Sequence, residues 1–404
     1  MTTTEVVCVV GLGYVGLPLA VWWAEESGSP VVGYDHDPKV VSRIASGQAP
    51  REPGLTERLR AVLQGGRLTV SSLPPERVHV VAVCVPTPLD SDRKADLSFL
   101  HDAVATVAPR TAPGALWLIA STVPVGTTEA VAAKLRRIDP RARVAMCPER
   151  VLPGQALHEL THTPRLVGGV DEASTEAARA WFAARTRGPV VPTTAALAEL
   201  TKLVENASRD AELAVAHAAA EIALEHGLDP YALQSLVNLH PRARMLTPGV
   251  GVGGHCLPVD PWFLVEPEAA TGSLFAALRR FTDGVPERWV ERIRSAYPSL
   301  RRVAVLGLSY KAESDDLRNA PALRLARGLA KHYDVVVTDP YVEAPPDLVH
   351  VSLDLALDAE LVVLAVAHRA FVEKGPPKRS GQHVIDACGG WISKPGPGLG
   401  PVEG

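Results

Sequence analysis

Five mostly β-branched residues, Val6-Val7-Cys8-Val9-Val10, run straight into Gly11-Leu12-Gly13-Tyr14-Val15-Gly16. No other stretch narrows the possible folds as far. A short apolar run without alternation has the pattern of a strand buried on both faces, as in a parallel sheet. The glycines at 11, 13 and 16 stand in GxGxxG register, and the run from Leu17 to Glu26 reads as a helix. A second strand, Val31-Val32-Gly33-Tyr34, ends at Asp35, about 20 residues on. The glycine pattern alone is weak. In the order strand, turn, helix, strand, acid it is the dinucleotide-binding fingerprint: the turn brings a pyrophosphate to the helix N-terminus and the acid receives the ribose hydroxyls. Gly11, Gly13, Tyr14, Val15, Gly16 and Asp35 are therefore candidate cofactor residues. An acid at 35 favours NAD, since it would repel the 2′-phosphate of NADP.

Three further strands are expected at His79–Val85, Trp117–Ala120 and Val144–Met146, with Val190-Val191 as a short last one. The loops after the first three fall where open α/β sheets bind ligands. The first is Pro86-Thr87-Pro88, stiffened by its prolines. Ser121 to Thr128 supplies hydroxyls, which suit a cofactor or substrate and equally suit the N-cap of the next helix. Glu149, in Cys147-Pro148-Glu149-Arg150, reads either as a group that orients water or as a surface acid. Glu52, in the turn at 51–55, reads as a site residue or a helix-start acid.

Ala195 to Gly227 has no proline or glycine before its end and reads as one long helix. Its alanines at 214, 216 and 218–220 would allow close packing against another helix, as across a two-fold interface. Lys202 and Asn206 share one face by their spacing, and Glu205 and Arg209 form a second expected pair. A lysine beside an asparagine can steady a developing oxyanion, while an exposed lysine on a solvated stripe carries the same letters. Beyond a second helix, Arg242 is a candidate anion contact. The loop Pro248 to Phe263 then places His255, Cys256 and Asp260 after four glycines. A cysteine in such a loop with an acid and a base nearby is a nucleophile candidate, and a buried structural cysteine is the other reading.

Residues 301–404 repeat the alternation in looser form. Arg302–Leu306 leads to Gly307, a helix is expected from Pro321 to Lys331, and strands at 335–338, 361–366 and 383–385 follow. Without the full glycine set this unit suits a different nucleotide, with Lys311 and Arg318 near the phosphates. The glycine- and proline-rich end, 393–404, is expected to be a disordered tail.

At 404 residues the chain is long for one core. A net charge of -4 gives no support for nucleic-acid or anionic-membrane binding, both of which favour a basic surface, and no apolar run reaches transmembrane length. Five scattered cysteines form neither a disulfide framework nor a metal-ligand pattern. A reducing cytoplasm, with no resident metal, is the expectation.

In order along the chain stand GLGYVGLP at 11–18, CPER at 147–150, TKLVEN at 201–206, GVGGHCLPVD at 251–260 and GLSYKAESDDLR at 307–318. With these motifs the chain resembles the UDP-glucose/GDP-mannose dehydrogenase family up to about Trp391. The resemblance implies an α/β fold of two Rossmann-like doubly wound domains joined by a long central helix in an all-helical dimerisation domain. The expected boundaries are 1–194 for NAD binding, 195–294 for the helical domain with the cysteine loop, 295–392 for nucleotide-sugar binding, and 393–404 for the tail. It implies a homodimer, or a higher homo-oligomer, that oxidises C6 of a UDP-sugar in two NAD-dependent steps.

Carried over by motif, Cys256 is the nucleophile and Asp260 assists it; Lys202 and Asn206 stabilise charge on the C6 oxygen; Thr122 and Glu149 orient water or exchange protons. Pro86, Thr87, Thr122 and Arg318 join the glycines and Asp35 around NAD. Glu149, Arg150, Lys202, Asn206, Arg242, Gly253 and Lys311 contact the substrate, Arg242 in a neighbouring subunit's site.

Val259 stands where the UDP-glucose branch carries lysine. That difference, with Gly253-Gly254-His255-Cys256, points to a UDP-N-acetylhexosamine: UDP-N-acetylmannosamine first, then UDP-N-acetylglucosamine, then UDP-glucose. The chain departs from the family pattern at His217-Ala218, usually Asn-Glu, and at Asn319-Ala320, usually Glu-Ser. A hydroxyacid-type dehydrogenase, which needs no cysteine, and a non-catalytic nucleotide-sugar-binding protein are the readings from other classes.

Overall fold

The computed structural model describes residues 5–391 apart from 27, 51, 152, 153, 266–269 and 378. The expected tail and Arg51 lie outside the described residues. The chain divides into two compact units, Met1–Glu205 and Asn206–Gly404.

In the first unit, β1 (Val7–Val10), α1 (Gly16–Glu26), β2 (Val31–Tyr34), α2 (Pro38–Ala45), α3 (Leu55–Gln64) and β3 (Leu68–Ser71) form the opening half of a sheet. β4 (Val78–Val83), α4 (Ser98–Val107), β5 (Thr111–Ile119), α5 (Thr127–Ile138) and β6 (Arg143–Met146) form the other half. Then come α6 (Ala156–His162), β7 (Arg165–Gly169), α7 (Glu172–Ala183) and β8 (Val190–Thr194). Among the described residues the strand order is β3-β2-β1-β4-β5-β6-β7-β8, parallel except between β6 and β7. The first six strands have the doubly wound order, whose reversal between β1 and β4 opens the ligand crevice. Every β1 residue is buried, as its unbroken β-branched run requires, and Trp22 and Trp23 of α1 pack beneath the sheet. β3 lacked a readable signal because Leu68-Thr69-Val70-Ser71 is half polar.

α8 (Ala195–Glu225) runs from the first unit into the second. It ends at Gly227, whose φ of 67° only glycine adopts cheaply, while Leu228 N–H returns to the Ala223 carbonyl.

The second unit continues with α9 (Pro230–Val237), α10 (Ala270–Asp283) and α11 (Val285–Ala296), a helical region joining the two sheets in sequence. Its α/β part is β9 (Arg302–Leu306), α12 (Pro321–Leu329), β10 (Asp334–Thr338), β11 (Val349–His350), α13 (Leu353–Ala356), β12 (Leu361–Leu364), α14 (Arg369–Lys374) and β13 (His383–Asp386). Among the described residues the order is β11-β10-β9-β12-β13, all parallel. The two expected Rossmann-like sheets are therefore present, and their switch points correspond. Gly11 (φ 87°) approaches the Cys84 carbonyl so closely that a Cβ would sit 2.7 Å from its oxygen; at Gly307 (φ 92°) a Cβ would sit 2.4 Å from Val366 Cβ.

Candidate active site

At the carboxyl end of the first sheet the glycine turn is tied to its acid. Asp35 Oδ2 accepts the Leu12 N–H at 2.9 Å, and Oδ1 accepts that of Asp37 at 3.0 Å. A Cβ on Gly16 would lie 1.8 Å from the Gly11 carbonyl oxygen, whereas one on Gly13 would meet nothing within 4 Å. Gly16 lets the helix close on the turn, and Gly13 leaves an open cradle at the α1 N-terminus. That combination fits a dinucleotide pyrophosphate.

The neighbouring loops are cross-tied. Thr87 Oγ1 donates to the Thr122 carbonyl at 2.7 Å, and Ser121 Oγ donates to the Val85 carbonyl at 2.7 Å. The expected hydroxyl cap of α5 is replaced: Gly126 stands at its N-cap without a side-chain cap. Glu199, fully buried on α8, instead accepts the N–H groups of Gly126 and Thr128, each at 2.7 Å, and the Thr128 hydroxyl at 2.6 Å. Burial pushes the Glu199 carboxyl up, against those three bonds.

Glu149 is buried rather than a surface acid. Its carboxylate accepts the Arg150 N–H at 2.8 Å and lies 3.3 Å from Arg165 Nη1. Arg150 spends its guanidinium on Glu205 (Nε–Oε2 3.1 Å) and the Pro164 carbonyl. The expected Glu205–Arg209 pair does not form: Glu205 turns to Arg150, and Arg209 pairs with Glu212. Glu52 bonds the N–H groups of Gly154 and Ala156 at the start of α6. Lys202 is half-buried.

In the second unit Cys256 opens a tight turn, its carbonyl accepting the N–H groups of Val259 (2.9 Å) and Asp260 (2.8 Å). Asp260 is buried, and its carboxylate accepts a bond from the Asn206 amide. The structure thus brings Cys256, Asp260 and Asn206 together. The other four cysteines are poor nucleophiles, for burial pushes the thiols of Cys8 and Cys147 up to about 12 and those of Cys84 and Cys388 higher still.

Asp316 meets the Arg318 guanidinium at 2.6 to 3.1 Å and lies 3.8 Å from His255 Nδ1. Burial opposes charge on Asp316, but the bonds from Arg318 prevail and hold its carboxyl below the usual range. A Cβ on Gly253 would collide with the Asn319 carbonyl oxygen at 2.7 Å. Lys311 lies over the Tyr310 ring at 5.7 Å, and Arg242 is exposed.

Asp339 holds the Leu308 N–H at 2.8 Å, repeating the Asp35–Leu12 bond, but its side chain is sealed in beside His368. The second sheet therefore keeps the turn-locking acid but leaves its carboxylate no exposure.

Glu199, Arg165, His217 and Asn319 were not singled out as site residues from the sequence. Glu199 and His217 did carry a signal, being polar letters on the helical spacing of the α8 apolar stripe.

Fold, glycine cradle and cysteine turn define an NAD-linked dehydrogenase with a second, non-dinucleotide Rossmann-like sheet. The chain belongs to the UDP-glucose/GDP-mannose dehydrogenase family, whose NAD binding domain matches residues 5–185, central domain 196–282 and UDP binding domain 304–389. It is an oxidoreductase, with NAD as its cofactor and a UDP-sugar as its substrate class. The UDP-N-acetyl-D-mannosamine dehydrogenase of Methanocaldococcus jannaschii is 38% identical over 371 residues, 90% of this chain and 85% of that one. The NDP-N-acetyl-D-galactosaminuronic acid dehydrogenase of Ralstonia nicotianae is 35% identical, covering 96% of each. A solved UDP-D-ManNAc dehydrogenase from Pyrococcus horikoshii superposes with a TM-score of 0.88 at 37% identity, covering 98% of each chain. Among the described residues no helix is long and apolar enough to cross a membrane.

Proposed function

We propose that this protein oxidises C6 of a UDP-N-acetylhexosamine from alcohol to acid, with UDP-N-acetylmannosamine as its favoured substrate. The observation that carries the reading is the Cys256 turn, with Asp260 held beside it by Asn206. Bound NAD supplies the hydride acceptor, twice per sugar. The C6 alcohol passes its proton to Glu149 by way of a water that Thr122 helps to orient, Lys202 and Asn206 stabilise the negative charge on the C6 oxygen, and loss of the first hydride leaves the aldehyde. The Cys256 thiolate adds to the aldehyde carbon, forming a C–S bond and a thiohemiacetal. Loss of the second hydride leaves a thioester. Water, oriented by Glu149, Thr122 and Asp260, adds to its carbonyl and expels the thiolate as the acid forms. Covalent capture keeps the reactive aldehyde in one site for both oxidations.

Gly11, Gly13, Tyr14, Val15, Gly16, Asp35, Pro86, Thr87, Thr122 and Arg318 hold NAD in this reading. Arg150, Arg242, Gly253 and Lys311 contact the UDP-sugar, Arg150 by sharing its guanidinium with Glu205. Val259 and the names of the relatives favour an N-acetylated sugar over UDP-glucose. Three domains, 1–194, 195–294 and 295–392, divide the work.

We further propose a cytoplasmic homodimer. Its support is an exposed apolar stripe on α8 (Leu197, Leu200, Val204, Val215 and Ile222). The alanines expected at such an interface are in part used within the chain, where Ala214, Ala216 and Ala220 are buried.

The test is NADH formed per sugar across UDP-N-acetylmannosamine, its gluco and galacto epimers, and UDP-glucose. Two NADH per UDP-N-acetylmannosamine, lost in Cys256→Ala, is the expected result. One NADH per sugar, or undiminished activity in Cys256→Ala, would favour the hydroxyacid-type reading. Sugar binding without any NADH would favour a binding protein.

A further inference from the structure

The loop that carries Cys256 has little regular structure of its own between Pro248 and Val259, yet its main chain is held at two points by side chains from elsewhere in the second unit. At its start, Gly249 N–H lies 3.3 Å from His217 Nε2 of α8, while the Gly249 carbonyl accepts the Trp289 indole N–H at 3.2 Å. Nearer the cysteine, Asn319 Nδ2 donates to the Gly254 carbonyl at 2.9 Å, and Gly254 N–H donates to the Arg318 carbonyl at 2.9 Å. Both main-chain polar groups of Gly254 are thus engaged by consecutive residues of one loop, two positions before the nucleophile. The approach is close enough to explain the loop's glycines. A Cβ on Gly254 would lie 3.1 Å from the Tyr310 ring, and Gly254 itself has φ 92°.

Asn319 is suited to this task. Its φ of 49° lies in the left-handed region that asparagine tolerates better than most residues, and that turn aims its amide back at the loop. His217 is suited differently. It is buried, its Nδ1 donates to the Leu213 carbonyl at 2.7 Å, and this leaves Nε2 as the acceptor that Gly249 requires. These are also two of the places at which the chain departs from the family's motif pattern.

We infer that Asn319 and His217 are positioning residues for Cys256: they touch no reacting atom, and they set the path of the loop that presents the thiolate to the aldehyde. This deepens the proposed function and rests on it for the chemistry, since alignment of the thiolate matters to the second oxidation and not to the first. Loss of one hydrogen bond of this kind corresponds to about a five- to tenfold change in rate.

The experiment compares wild type, Asn319→Gly and His217→Gln in single-turnover NADH formation, which resolves the two hydride transfers. It adds amide hydrogen exchange over 249–258. Asn319→Gly is the informative variant, because glycine keeps the left-handed backbone and removes only the amide; it also covers the case in which the buried His217 variant fails to fold. The expected result is a second hydride transfer slowed about five- to tenfold with the first within twofold, and exchange at Gly254 faster by a similar factor. Both transfers falling in parallel, or unchanged exchange, would overturn the inference. If wild type forms no NADH with any UDP-sugar, the proposed function falls, and the exchange measurement alone decides whether Asn319 holds the loop.

Discussion

A methyl group at Gly16 would sit 1.8 Å from the Gly11 carbonyl oxygen, while the same group at Gly13 would meet open space. The two glycines of one motif therefore fail in different ways. Gly13→Ala is expected to keep its unfolding temperature within a degree or two while NAD affinity, read by fluorescence titration, falls about 100-fold, or ~3 kcal/mol. Gly16→Ala is expected to lose NAD binding and thermal stability together. Equal behaviour of the two variants would contradict these roles.

His217 gives a pH signature at the same scale. Burial, against its bond to Leu213, depresses its pKa from 6.5 to about 4. The folded state then binds the proton less readily than the unfolded state, so stability is lost as pH falls from the unfolded value toward the folded one. Between pH 7.5 and 5 this amounts to roughly 2 kcal/mol. Denaturant titrations at the two pH values should show the wild type losing about 2 kcal/mol more unfolding free energy than His217→Gln on acidification, and equal losses would contradict this role.

Among the elements, α8 has the most varied duties. Its buried positions, Ala195, Ala198, Leu203, Ala207, Ala214 and Ala220, follow helical spacing, and Glu199, Asp210 and His217 fall on the same stripe. Each of the three has a specific partner: the α5 N-terminus for Glu199, Arg279 for Asp210 and the cysteine loop for His217. A polar residue on an apolar stripe was the readable clue, and its partner was not readable. Glu199→Gln places an amide donor against N–H groups that need acceptors. Chemical unfolding should show a loss of about 1–3 kcal/mol. An unchanged midpoint would mean that Glu199 is not the effective cap of α5.

At the scale of the whole molecule, the five described strands of the second sheet repeat the order of β3-β2-β1-β4-β5 in the first, and each sheet has its own turn-locking carboxylate, Asp35 in the first and Asp339 in the second. Their functions diverge through what surrounds that acid. Large apolar side chains recur on one exposed face of α8, and the proposed dimer would cover them. Val215→Glu with Ile222→Glu is expected to shift the protein from dimer to monomer in sedimentation velocity. A wild-type monomer, or a dimer indifferent to both charges, would remove the proposed interface.

Much of the architecture was legible because it rests on local chemistry. Strands buried on both faces need unbroken apolar runs, a dinucleotide turn needs glycines at fixed offsets, and a helix as long as α8 needs a stretch free of proline and glycine. The cysteine loop was legible as a motif for a similar reason, since close backbone approach admits only glycine. Partner choice was not legible. Glu205 lies four residues from Arg209 and pairs instead with Arg150, and the hydroxyls of 121–128 yield their expected capping role to Glu199, more than seventy residues away in sequence. Sequence spacing sets which groups can meet along one element. Only tertiary packing decides which distant group is nearer and better desolvated. By itself the sequence determined a chain of two Rossmann-like sheets with a cysteine-bearing loop; the tertiary structure decided how Asp260, Asn206, His217 and Asn319 hold that loop.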